Sequence, residues 1–244
     1  MTIARKDIVA KGEVASYHAL SRCVRRSFLC GEDSYSGKNY DHRKAWIMER
    51  IKFLLEYFAV EMITPSIMSN HMHLEVRTRP DLAKRLPPEQ VAFNWLTLFP
   101  GRKKVADPPP VPSPQKIQKF CADPAGVEDK RERLGDLSWF MRCLNEWIAR
   151  KANKEDGVPG RFWEGRFKCK RLYDDAAVLA CMAYVDLNPV RAQVAQTPEE
   201  SWAECERHAK AILEGTPAPP APAVSSLPDP SSPVKQTSLF NLSG

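Results

Sequence analysis

No apolar run in this 244-residue sequence approaches the roughly 20 residues a membrane helix needs, so a spanning segment is excluded. The opening MTIARKDIVAKGE lacks an apolar h-region and a small-residue cleavage site, which predicts a cytoplasmic protein. Paired cysteines are missing as well. Cys23, Cys30, Cys121, Cys143, Cys169, Cys181 and Cys205 are scattered, odd in number and never spaced C-x-x-C. That pattern argues for reduced thiols and against a zinc ribbon or a disulfide framework. Internal repeats at solenoid periods are also absent. Histidine and tyrosine are scarce, at five and six residues, so where each one falls carries weight.

What is present is an ordinary globular composition, 43% hydrophobic, long enough for one sizeable core with insertions or a tail. The formal net charge of +6 is mild, and its distribution says more than its size. Arg22, Arg25 and Arg26 cluster early. Arg161, Arg166, Lys168, Lys170 and Arg171 crowd a stretch that also holds Phe162, Trp163 and Phe167. Cations track phosphates and aromatics stack on bases, a mixture suited to single-stranded nucleic acid. A solvated strand with a buried aromatic face accounts for the same residues equally well.

Hydrophobic periodicity predicts strands near 14–23, 59–67 and 71–77, with Met68-Ser69-Asn70 between the last two. An amphipathic helix is predicted over 42–58, with Ile47, Ile51, Leu54 and Phe58 on one face and Arg43, Arg50 and Lys52 elsewhere. Between Pro80 and about Gly135 the pattern weakens, and the prolines of DPPPVPSP break any helix at 107–114. This stretch reads as an insertion with one short helix at 88–98. A second long helix is predicted over 136–154, capped by Asp136 or Ser138. The run GVPGRFWEGRFKCKRL then reads as a turn and strand. A third helix covers 175–187, opened by Asp174 or Asp175 and closed before Pro189. A polar helix over 198–213 and a disordered Pro-, Ala- and Ser-rich tail from 215 complete the expectation. The order strand, helix, strand, strand, helix, strand, helix predicts an α+β layer fold with helices on one sheet face and the other face open.

Two segments carry chemistry. In Ser69-Asn70-His71-Met72-His73-Leu74-Glu75-Val76, strand alternation sends Met72, Leu74 and Val76 one way and His71, His73 and Glu75 the other. Two imidazoles side by side on an open face can begin a metal site, with further ligands from elsewhere. An H-x-H pair is also compatible with two surface or part-buried histidines. On the third helix, Tyr184 and Asn188 stand four residues apart, so phenol and carboxamide can address one point. A nearly all-apolar helix (Val178, Leu179, Met182, Val185, Leu187) predicts burial on most sides, which favours a core tyrosine.

Taken in order, SNHMHLEV, GRFWEGRF and AYVDLNPVRA resemble the HUH transposases with a single catalytic tyrosine, in particular the REP-associated tyrosine transposases. The resemblance spans roughly 14–79 and 136–195. It implies a ferredoxin-like antiparallel sheet, His71 and His73 as metal ligands, Asn188 as an amide ligand and Tyr184 as the nucleophile. The chemistry implied is cleavage and rejoining of single-stranded DNA beside hairpins or palindromic repeats, through a 5′-phosphotyrosine. Imidazoles alone favour zinc-like metals; the family and the amide ligand favour Mg²⁺ or Mn²⁺. Arg22, Arg161, Trp163, Arg166, Lys168, Lys170 and Arg171 form the expected DNA-contacting set. A monomer or a homodimer fits the relatives. Glu75 lies outside the pattern.

Near the end, Gln236-Thr237-Ser238-Leu239-Phe240 resembles the Q-x-x-L-F peptide that docks bacterial proteins on the replication sliding clamp. Its place after a Pro-rich tether suits docking; packing of Leu239 and Phe240 back onto the domain is the other reading. Two other functions fit parts of the sequence. A non-catalytic relative would bind hairpin or repeat DNA, and a metallohydrolase would use the histidine pair with Glu75 or Asp186.

Overall fold

The computed structural model describes residues 8–24, 27–101 and 111–188. Its frame follows from alternation along two strands. In β1 (Ala15–Arg22), Tyr17 and Ala19 are buried to one side, and in β3 (His71–Thr78), Met72, Leu74 and Val76 join them. The strands pair antiparallel with Tyr17 opposite Val76 and Ala19 opposite Leu74, so the apolar side chains of both fall on one face. β2 (Val60–Ile67) flanks β3, with a register irregularity between Met62 and Thr64. β4 (Lys168–Leu172) flanks β1 with Cys169 opposite Ala19. The sheet order is β2-β3-β1-β4, antiparallel throughout.

The apolar face is covered by two helices. α1 (His42–Tyr57) buries Trp46, Ile47, Met48, Ile51 and Leu54. The long helix Leu137–Asp156, α6 in chain order, buries Phe140, Leu144 and Ile148 in the same core. Asp136 caps α6 by accepting from the Trp139 amide, and Gly157 ends it with φ 67°, a left-handed turn that glycine takes without strain. Strand, helix, strand, strand, helix, strand in this order is the ferredoxin-like βαββαβ arrangement, as the sequence predicts. One expectation for α1 fails. Arg43, placed off the apolar face of an amphipathic helix, is fully buried. Its guanidinium donates to Glu155 (2.8 Å), to the Phe28 carbonyl (2.7 Å) and to Asp156, which ties α1 to the C-terminal end of α6. A buried cation satisfied at each arm is tolerated where an unpaired one is not.

The segment between β3 and α6 is more regular than its sequence suggests. It forms α2 (Pro80–Arg85), α3 (Pro88–Leu98), α4 (Pro114–Cys121) and α5 (Pro124–Leu134). Only α3 stands in the sequence expectation. A proline opens each of the four, at a position where its missing amide hydrogen costs nothing. Val91, Val127 and Leu134 reach the main core, and the Ala59 amide donates to the Leu134 carbonyl at 2.8 Å. Gly135 passes so close to Pro80 that a Cβ there would lie 3.0 Å from the proline Cα. The predicted helix at 198–213, the tail, Gln236, Leu239 and Phe240, and the cations Arg25 and Arg26 lie outside the described residues.

Candidate active site

The second sheet face is polar because the same alternation places every other residue there. Across β1 and β3, Ser16 faces Arg77, His18 faces Glu75, Leu20 faces His73 and Arg22 faces His71. β2 adds Thr64 beside Glu75 and Ser66 beside His73; β4 adds Lys170 beside His18 and Lys168 beside Leu20. His18 and His73 are therefore diagonal neighbours, close enough for long side chains to meet. Their rings stack at a centroid distance of 5.0 Å and an interplanar angle of 12°, with His18 Nε2 2.8 Å from His73 Nδ1. His71 stands edge-on to His73, again at 5.0 Å, and its Nδ1 lies 2.7 Å from Asn70 Oδ1.

This face is partly roofed. α7 (Asp175–Asp186), opened by Asp174 accepting from the Ala177 amide at 2.7 Å, lies across it. Cys181, Val185 and Asn188, spaced i, i+4 and i+7, are buried. The expected burial on most sides is not what the helix adopts: Leu179 is 65% exposed and Tyr184 42%. Tyr184 is thus not a core tyrosine. Its ring meets His73 edge-on at 5.8 Å and His18 at 6.0 Å. Asp186, on the buried side, accepts from Thr64 Oγ1 at 3.2 Å.

The electrostatics keep the imidazoles neutral. Burial, then His18, His71 and Arg22, push the His73 pKa down to about 3. Burial and Arg22 lower His71; burial and Lys170 lower His18. Glu75 moves the opposite way. It is fully buried, and burial, with Asp186 adding and Cys181 and Arg77 opposing, pushes its carboxyl up to about 7. The Cys181 thiol on α7 faces the Glu75 carboxyl as a hydrogen-bond partner, while Asn188 Nδ2 has no partner among the described residues.

The expected DNA-contacting residues divide. Arg22, Lys168 and Lys170 share the histidine face, and Arg161 and Arg166 are exposed beyond it. Arg171 points to the other side, where it pairs with Glu13 at 3.0 Å. Trp163 is buried against Phe162, and its indole N–H donates to the Asn145 carbonyl at 2.8 Å. Its ring serves the core rather than a base-stacking surface, the second reading offered for that aromatic run. His18 is the site residue that the motif search passes over. Applying to β1 the alternation used for β3 finds it, because Tyr17 and Ala19 fix the inward phase.

The donor chemistry fits a divalent ion in part. His71 and His73 offer neutral ring nitrogens, the form that binds metal, and the buried Asn188 carboxamide lies just past the end of α7. Among the described residues, no group of three or more His, Cys, Asp or Glu side chains is arranged to hold a metal ion.

No family model matches the chain, and no curated protein does. Among solved structures, one of a REP-associated tyrosine transposase bound to a REP hairpin aligns over 98% of this chain and 100% of its own, at 14% identity and a TM-score of 0.48. An overlap that shallow assigns the chain neither a family nor an activity.

Proposed function

We propose that this protein cuts and rejoins single-stranded DNA next to hairpins, with Tyr184 as nucleophile and His71, His73 and Asn188 as the holders of a divalent ion. The observation that carries the reading is the placement of Tyr184. A partly exposed tyrosine ring on the helix that roofs the polar face stands 5.8 Å from His73, itself held neutral beside His71. When bound, Mg²⁺ or Mn²⁺ supplies Lewis acidity to a non-bridging phosphate oxygen. Tyr184 Oη attacks phosphorus, the P–O3′ bond breaks, and the phenolic proton ends on the departing 3′ oxygen. The 5′ phosphate stays on the tyrosine. Because that diester linkage is retained, attack by another 3′ hydroxyl reverses the step without ATP. Arg22, Lys168 and Lys170 on the same face are suited to backbone phosphates, which would make binding salt-dependent. Trp163 and Arg171 are left out of that surface.

The test is a denaturing gel with a labelled hairpin oligonucleotide and Mn²⁺, comparing wild type with Tyr184→Phe. A metal-dependent covalent protein–DNA band, lost in the variant, is the expected result. Hairpin binding with neither adduct nor cleavage would make the protein a DNA-binding module. Cleavage that survives the substitution without an adduct would instead point to hydrolysis supported by Glu75 or Asp186. Docking of Gln236, Leu239 and Phe240 on a sliding clamp is a separate proposal, and absence of binding by a 234–244 peptide in fluorescence anisotropy would end it.

A further inference from the structure

The two metal-facing imidazoles differ in what holds them, and that difference points to a role for two residues outside the ligand set. His71 Nδ1 lies 2.7 Å from Asn70 Oδ1. An amide oxygen only accepts, so the ring hydrogen sits on Nδ1 and the lone pair on Nε2. His73 Nδ1 lies 2.8 Å from His18 Nε2, and here either ring can donate. Stacking at 12° holds this second pair in place, and His18 is anchored from below by its β1 register opposite Glu75.

We propose that His18 is a positioning residue: it accepts from His73 Nδ1–H and so turns the His73 Nε2 lone pair toward the cation, as Asn70 does for His71. This rests on the reading of His71 and His73 as ligands. A ligating histidine characteristically donates its other ring N–H to an acceptor, which fixes both tautomer and ring direction. The acceptor in most such pairs is a carboxylate or a carbonyl. Glu75, two residues along the strand from His73, is unavailable because it is fully buried with the Cys181 thiol of α7 as its side-chain partner. An imidazole therefore takes the acceptor's place. It follows that His18 carries its own hydrogen on Nδ1, and that three ring tautomers are set together. In free imidazole side chains the hydrogen prefers Nε2, so the arrangement has a distinctive signature.

The experiment uses the full chain. Long-range ¹H–¹⁵N spectra of metal-free protein at neutral pH read each tautomer, and electron paramagnetic resonance of free Mn²⁺ reads affinity. Wild type should show Nδ1–H forms at His18, His71 and His73. His18→Ala should return His73 to the Nε2–H form and weaken Mn²⁺ binding by roughly 10- to 100-fold, leaving His71 as it is. His18→Gln, which retains an accepting oxygen, should recover most of the affinity. An Nε2–H form of His73 in wild type overturns the proposal, since His18 would then be the donor; this outcome needs no variant to fold. An unchanged tautomer and Mn²⁺ affinity in His18→Ala overturn it equally. Mn²⁺ binding and adduct formation by wild type with the wrong His73 tautomer would sink the positioning role alone. A wild type that binds no Mn²⁺ would sink the ligand reading and the positioning role with it.

Discussion

The two faces of the sheet are built from the same strands and closed by opposite means. On one, Tyr17, Ala19, Met72, Leu74 and Val76 meet α1 and α6 in an apolar core. On the other, His18, His73, Glu75, Thr64 and Ser66 meet α7, with a buried carboxylate met by a thiol and a carboxamide Nδ2 left without a partner among the described residues. Burying apolar surface stabilises at about 25 cal/mol per Å², whereas burying an unpaired polar group costs roughly 1–3 kcal/mol. The first face holds the fold together. The second is maintained at the fold's expense, the pattern expected where side chains are kept for chemistry.

The contrast can be broken most sharply by Tyr184→Phe. Adduct formation should fall at least roughly 1,000-fold, an activation cost of about 4 kcal/mol, with thermal stability nearly unchanged because the aromatic ring is retained and only the hydroxyl is lost. Leu74→Ala should do the reverse, costing about 2–5 kcal/mol of stability in urea unfolding through lost burial and a cavity. Glu75→Gln tests the polar face directly in metal-free protein. With its folded pKa raised to about 7 against an ordinary 4.5, Glu75 binds its proton more tightly when folded. Wild type therefore loses stability as pH rises from about 4.5 to 7, and the loss is complete above that. The glutamine variant should exceed wild type by up to roughly 3 kcal/mol at pH 8, with the gain vanishing near pH 4. An equal gain at both pH values would mean that packing, not charge, is responsible. Smallest is Lys170→Ala: the slope of log affinity against log salt should shrink by about 1 if that ammonium meets a phosphate, with no effect on stability beyond about 0.5 kcal/mol.

Period-two alternation made the sheet and the histidine pair readable, because strand phase is absolute once two apolar residues are known. The same rule, not applied to β1, would have found His18. Arg43 escaped because helix periodicity counts charge as solvated, and the partners that allow its burial come from Phe28, Glu155 and Asp156, all distant in sequence. The helices of 80–134 were obscured by their prolines, which start helices as readily as they break them. The burial of α7 was overestimated for a related reason. Composition reports how apolar α7 is, but a helix laid over one sheet face has nothing to cover its far side, and Leu179 shows the result.

The near-contact of Gly135 with Pro80 has a consequence for how this chain can change. The excursion that leaves at the end of β3 returns to its point of departure, so its two ends are already joined in space. A segment closed on itself in this way can lengthen or shorten with little added chain entropy, since closure cost grows only with the logarithm of loop length. The frame that carries His18, His71, His73 and Tyr184 is thereby insulated from whatever the excursion becomes. The helical unit is free to diverge, bounded only by the few side chains, Val91, Val127 and Leu134 among them, that it lends to the core.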